Sequence, residues 1–229
     1  MTLFLRRIST RSPIRETFAV AWLALVLLTP TYVEAEPHRF DNPREMFMLP
    51  EYCKYTMDFR ANVPGGNNPA EIERWTNVMG PVYIHMHHYC YGLQAINRAA
   101  FLSPTREERV HNLGVSVYEF DYVIQRAPPD FGLLPEILTK KGESLIQMDR
   151  VGQGMAELQR AIAMKANHWP AYAAISDYYK NAGQLAKARE WLEKGLSAAP
   201  DTRPLTRRLA ALDAEQGKRK RTPKEPTER

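Results

Sequence analysis

Residues 169–200 read WPAYAAISDYYKNAGQLAKAREWLEKGLSAAP. Tyr172, Ile175 and Tyr179 fall at helical spacing, Gly183 stops that run, and Ala188 and Leu192 belong to a second run that ends at Pro200. Shifted back by 34 residues, the same landmarks return as Leu138, Lys141, Gly142 and Leu145, then Gly154 and Leu158, then Ala166. Asp149 takes the place of Gly183, and Ala161 that of Gly195. Gly142, Gly154, Ser176 and Ala188 are small enough to let two helices cross closely, while Leu158 and Leu192 fill the space between units. Two departures stand out: Lys141 occupies an apolar position and Ala166 replaces the proline.

This helix-turn-helix period resembles the tetratricopeptide repeat over residues 133–216. The resemblance implies an all-α array, a short α-solenoid whose units bury their faces against neighbours. Such an array needs covered ends. Downstream, Leu205, Leu209 and Leu212 form an i, i+4, i+7 stripe that suits a capping helix. Upstream, Tyr91-Gly92, Ser116, Phe120 and Pro128 look like a divergent unit with longer helices, because Gly92 and Gly142 are 50 residues apart.

The chain has 229 residues, 44% of them hydrophobic and 25% charged, which suffices for a folded core. Arg6, Arg7, Arg11 and Arg15 precede an apolar run from Phe18 to Leu28, and Val33-Glu34-Ala35 follows Pro30. That order reads as a secretory signal peptide over residues 1–35 with cleavage after Ala35. Eleven apolar residues fall short of the roughly 20 a spanning helix needs, although an uncleaved segment would still contact the membrane. Export, most simply to a periplasm, is the expectation.

The net charge of +5 does not describe a basic folded face. Four Arg stand against Glu16 and Glu34 in the first 35 residues, and six basic residues follow Gln216 against Glu225 and Glu228, leaving the body at −1. Nucleic acid is therefore not an expected partner. Residues 217–229 read as a solvated basic tail that could touch an anionic membrane surface.

Residues 36–130 read as an N-terminal helical module ahead of the array at 131–216. Cys53 and Cys90 are the only cysteines, and in an oxidising compartment they should pair, pinning a segment with the turn signal Pro64-Gly65-Gly66-Asn67-Asn68. Asn68 and Pro69 begin a helix that stops at Gly80-Pro81; a longer helix is expected from about Pro81 to Phe101, and Thr105 with Glu108 forms a capping box for the next. The segment Leu49 to Ala99, with Leu-Pro-Glu-Tyr-Cys and His-His-Tyr-Cys, also resembles the front of some exported bacterial repeat proteins.

His85, His87 and His88 are the sharpest chemical feature, since His85 with His88, or His87 with Cys90, would share a helix face as two metal ligands. No carboxylate lies between Glu73 and Glu107 to complete such a site, and crowded aromatic packing with Tyr83, Tyr89 and Tyr91 is the simpler reading. A metal-binding protein or metalloenzyme built on these histidines is the alternative. No nucleophile motif, phosphate loop or carboxylate pair points to other catalysis, so neither an enzyme nor a cofactor is expected. The resemblance instead implies a protein or peptide held on the first helices of the units. Carried over, that groove presents Thr139, Glu143 and Ile146, then Ala173, Asp177 and Lys180, and Arg207 from the cap.

Overall fold

The computed structural model describes residues 43–221, so the expected signal peptide and the last eight residues of the basic tail lie outside the described residues. Two 3-10 turns, Pro43–Met48 and Glu51–Tyr55, and one α turn, Phe59–Asn62, lead into eight helices. These are α1 (Pro69–Met79), α2 (Met86–Phe101), α3 (Arg106–Arg126), α4 (Leu134–Gln147), α5 (Val151–Met164), α6 (Trp169–Asn181), α7 (Leu185–Ala198) and α8 (Arg203–Arg221). Among the described residues there is no strand, and the fold is an all-α helical array.

The helix ends follow local chemistry. Asn68 Oδ1 accepts from the Ala70 and Glu71 amides at 3.1 and 3.4 Å, which starts α1, and Gly80 at φ 67° ends it. Thr105 and Glu108 exchange both bonds of a capping box at the head of α3. The helix expected from Pro81 differs: Gly80–His85 is a 3-10 helix and α-helical geometry begins at Met86. Three residues per turn place Tyr83 and Met86 one above the other on the buried face, which they continue to Tyr89.

The 34-residue period is written into the backbone. Asp149 and Gly183 both adopt left-handed φ values, 62° and 73°, at the turns ending α4 and α6. The Arg150 and Gln184 amides then donate back to Leu145 and Tyr179 at 2.9 and 2.8 Å. The crossings differ in detail but use the same positions. A Cβ on Gly142 would stand 2.8 Å from Leu158 Cγ and 2.9 Å from the Gly154 oxygen, whereas Ser176 donates to the Ala188 oxygen at 2.9 Å. Gly92 likewise lies directly against the Phe120 ring between α2 and α3.

Buried side chains form a succession of clusters. The Cys53–Cys90 disulfide sits among Leu49, Phe59 and Tyr91, with Cα atoms 5.6 Å apart. Next come Met86, Tyr89, Phe120 and Ile137, then Leu138, Leu158 and Ile175, and finally Leu192 with Leu205 and Leu212. Ile137 and Leu138 are adjacent on α4, so that one helix joins two clusters. Leu205 and Leu212 of α8 are fully buried and Leu209 packs beside them, which closes this end of the array. The backbone of α8 continues to Arg221, so the basic run expected from residue 217 begins inside a helix. Lys141 is accommodated by Asp121 at 2.7 Å and Glu157 at 2.5 Å, one from the preceding helix and one from the following. Burial opposes its charge, but those two carboxylates outweigh burial and hold its pKa above the usual lysine value.

Candidate functional site

Helices α4 and α6 flank a cleft of about 410 Å³. Glu143, Ile146 and Asp177 line it, as the sequence reading placed them, together with Gln147, Asp149 and Tyr178. Thr139 and Ala173 do not reach it. Thr139 is buried, its hydroxyl bonded to the Pro135 oxygen at 2.8 Å and to His168 Nε2 at 3.0 Å. Ala173 packs inside the terminal cluster with Leu205. Lys180 and Arg207 are exposed, and the cation that meets Asp177 is Arg208, with both carboxylate oxygens 3.1–3.2 Å from its Nε.

Each carboxylate of the cleft has one partner at its edge. Lys140 reaches Glu143 at 3.1 Å, Arg106 reaches Asp149 at 2.6 Å, and Arg208 reaches Asp177. Among the described residues no lysine or arginine lines the cleft itself, so Glu143, Asp149 and Asp177 are its charged lining, beside Ile146, Val151 and Ala174. Glu143 and Asp177 stand 34 residues apart, as do Gln147 and Asn181, which also lines the cleft. One further helical turn from Glu143 and Asp177 would have led to Gln147 and Asn181 from the sequence. Asp149 and Tyr178 carried no such signal.

The His87 and His88 rings lie 4.3 Å apart between centroids, but each turns to a different partner. His88 Nδ1 lies 2.6 Å from Glu119, a buried carboxylate on α3, and its ring stacks on Tyr122 at 3.5 Å between centroids. Arg126 covers Tyr122 at 3.4 Å. His87 is buried, with Asp58 3.9 Å from its Nε2, and Tyr91 donates to the same carboxylate at 3.2 Å. Burial, and then the neighbouring imidazole of His88, hold His87 below the ordinary histidine pKa, against the opposing pull of Asp58. His85 stands edge-on to Tyr122. Tertiary folding thus brings in carboxylates that the local sequence lacked, Glu119 bonded to His88 and Asp58 accepting from Tyr91. Cys90 is engaged with Cys53, and among the described residues no three His, Cys, Asp or Glu side chains are grouped to hold a metal ion. The metal alternative finds no support in this geometry.

Among the described residues, no helix is long and apolar enough to cross a membrane. Residues 170–202, which span α6, α7 and the turn into α8, match the tetratricopeptide repeat family. The chain therefore carries such a repeat within a helical array, an architecture that generally mediates protein–protein interaction and is typically non-enzymatic. No curated protein matches the chain significantly.

Proposed function

We propose that this protein is an exported scaffold that holds a peptide segment of a partner in the α4/α6 cleft, in the assembly or secretion of envelope components. The observation that carries the reading is the meeting of Glu143, Asp149 and Asp177 around Ile146 in a single concave cleft. An acidic rim with an apolar floor favours an extended or helical segment rich in Lys, Arg and amide side chains, which would exchange places with Lys140, Arg106 and Arg208. In this reading α2 and α3 form a third, divergent unit, supported by the seat of Gly92 against Phe120. The export context rests on the Arg-rich, apolar beginning of the sequence, and the basic run after Gln216 supplies a membrane-surface contact.

The test is selection of peptides from a displayed random library on the wild type and on a Glu143→Lys, Asp177→Lys variant, with circular dichroism as the fold control. Peptides enriched on the wild type should be basic and should lose affinity on the variant by about 1–2 kcal/mol, roughly the combined effect of two rim charges. Equal binding by a well-folded variant would place partner recognition on another surface.

A further inference from the structure

Outside the array, a second cleft of about 240 Å³ opens between the disulfide-pinned segment and α1 with its following 3-10 helix. Tyr55, Met57 and Arg60 form one wall; Ile72, Pro81, Tyr83 and Ile84 belong to the other. The first wall is held in place because Cys53, two residues before Tyr55, is bonded to Cys90 on α2. Gly66 then packs on the Arg60 backbone so closely that a Cβ there would stand 2.6 Å from the Arg60 Cα, which fixes where Arg60 leaves the chain.

Two features of this cleft stand apart from the packing around it. The Tyr83 hydroxyl is buried, on a residue only 6% exposed, and has no hydrogen-bond partner among the described residues. A buried hydroxyl without a partner is destabilising, and folded proteins generally satisfy such groups or use them. Its charged surroundings include Arg60, which lines the cleft, and Glu71, which Arg74 engages at 3.1 Å. Burial, partly offset by Arg60, pushes the Tyr83 pKa up to about 12, so the group remains an O–H donor at any physiological pH. The second feature is the mouth, where Met57 and Ile84 are 45% and 58% exposed, large apolar side chains facing water beside a guanidinium. Lys54 adds a further cation 5.6 Å from the Tyr55 ring.

We propose that this cleft is a binding site for a small apolar group carrying a carboxylate, with the Tyr83 hydroxyl donating to one carboxylate oxygen, Arg60 pairing with the anion, and Met57, Ile72 and Ile84 enclosing the apolar part. The volume is below the about 300–1,000 Å³ of drug-sized sites and suits one residue's worth of ligand. The same chemistry is offered by the C-terminal residue of a polypeptide and by a free acylated amino acid. Thr76 lines the cleft but donates its hydroxyl to the Ile72 oxygen at 2.7 Å, so Tyr83 and Arg60 are left to read the anion.

The experiment is methyl NMR of the full chain, following Met57, Ile72 and Ile84 during titration with four probes: N-acetyl-leucine, its amide, a hexapeptide ending in free leucine, and the same hexapeptide amidated. The free acids should give saturating shifts at these methyls, with the amides at least ten-fold weaker. A preference for the hexapeptide acid identifies a polypeptide terminus as the source, and equal affinity of the two acids identifies the free acid; both support the site. Tyr83→Phe and Arg60→Gln should each lose at least ten-fold in affinity. Ligand-free Tyr83→Phe should melt at or above the wild-type temperature, because the hydroxyl has no bond to lose. Acids and amides binding alike, no saturation by any probe, full affinity in Tyr83→Phe, or a lower melting temperature for that variant would each overturn the proposal.

Discussion

Gly142 and Gly114 both lie within helices, but their surroundings predict opposite effects for the same substitution. A methyl on Gly142 would meet Leu158 and the Gly154 carbonyl, and since one obstacle is backbone the two helices must separate. Gly142→Ala should therefore destabilise by about 1–3 kcal/mol even though alanine is the better helix former. At Gly114 the nearest atom is Met148 Cε at 3.8 Å, an ordinary contact. Gly114→Ala should stabilise by about 0.5–1 kcal/mol through backbone entropy alone. Urea midpoints of the two variants check this, and matching shifts would show that the α4–α5 crossing does not depend on glycine. Lys141 makes a related point at the same scale. It departs from the repeat pattern in type but keeps a largely covered position, because its ammonium reaches Asp121 and Glu157.

At the scale of elements, the segment before α1 is held differently from the helices after it. Its pieces are 3-10 turns and one α turn, too short to persist alone, and its small cluster is built on Cys53 and Cys90. The bridge joins residues 37 apart, and closing a loop of that size restricts the unfolded chain by about 4 kcal/mol on the chain-entropy model. The Cys53→Ser, Cys90→Ser variant should lose a large part of that stability, read as a fall in urea midpoint that reductant reproduces in the wild type. A loss below about 1 kcal/mol would mean that Leu49, Phe59 and Tyr91 hold the segment without it. The α1–α2 connection shows a competition between elements. Local pattern favours one helix from Pro81, yet the tighter 3-10 turn wins because it buries Val82 and Tyr83 beside Met86.

At the scale of the whole molecule, an array of this kind is as stable as its ends allow, since every unit exposes a face that the next must cover. Helix α8 covers the last one. Leu205 and Leu212 are 0% and 1% exposed, and the missing side chain of Gly195 lets Leu205 Cδ1 approach to within 2.8 Å of where a Cβ would be. Burial of each leucine is worth about 1.5–3 kcal/mol, so a chain ending at Pro200 should lose several kcal/mol and expose Leu185 and Leu192. Thermal unfolding combined with binding of an apolar dye checks this; an unchanged melting temperature would show that α7 needs no cover.

The array was legible because its determinants are local and repeated. Gly142, Gly154, Ser176 and Ala188 announce crossings by size alone, Asp149 and Gly183 mark turns, and the stripe from Leu205 to Leu212 declares a helix with one covered face. With only two cysteines, the pairing partner was settled by count. The sites were less legible, because they depend on which side chains distant in sequence come to share a space. Thr139 occupied an apparently outward position but turned its hydroxyl to His168, and Arg208, not Arg207, met Asp177, since a shift of one residue rotates a helix by about 100°. Glu119 found His88 across 31 residues. Arg60 and Tyr83 came to one cleft through a disulfide and a glycine turn, and no periodicity in the sequence encodes that meeting.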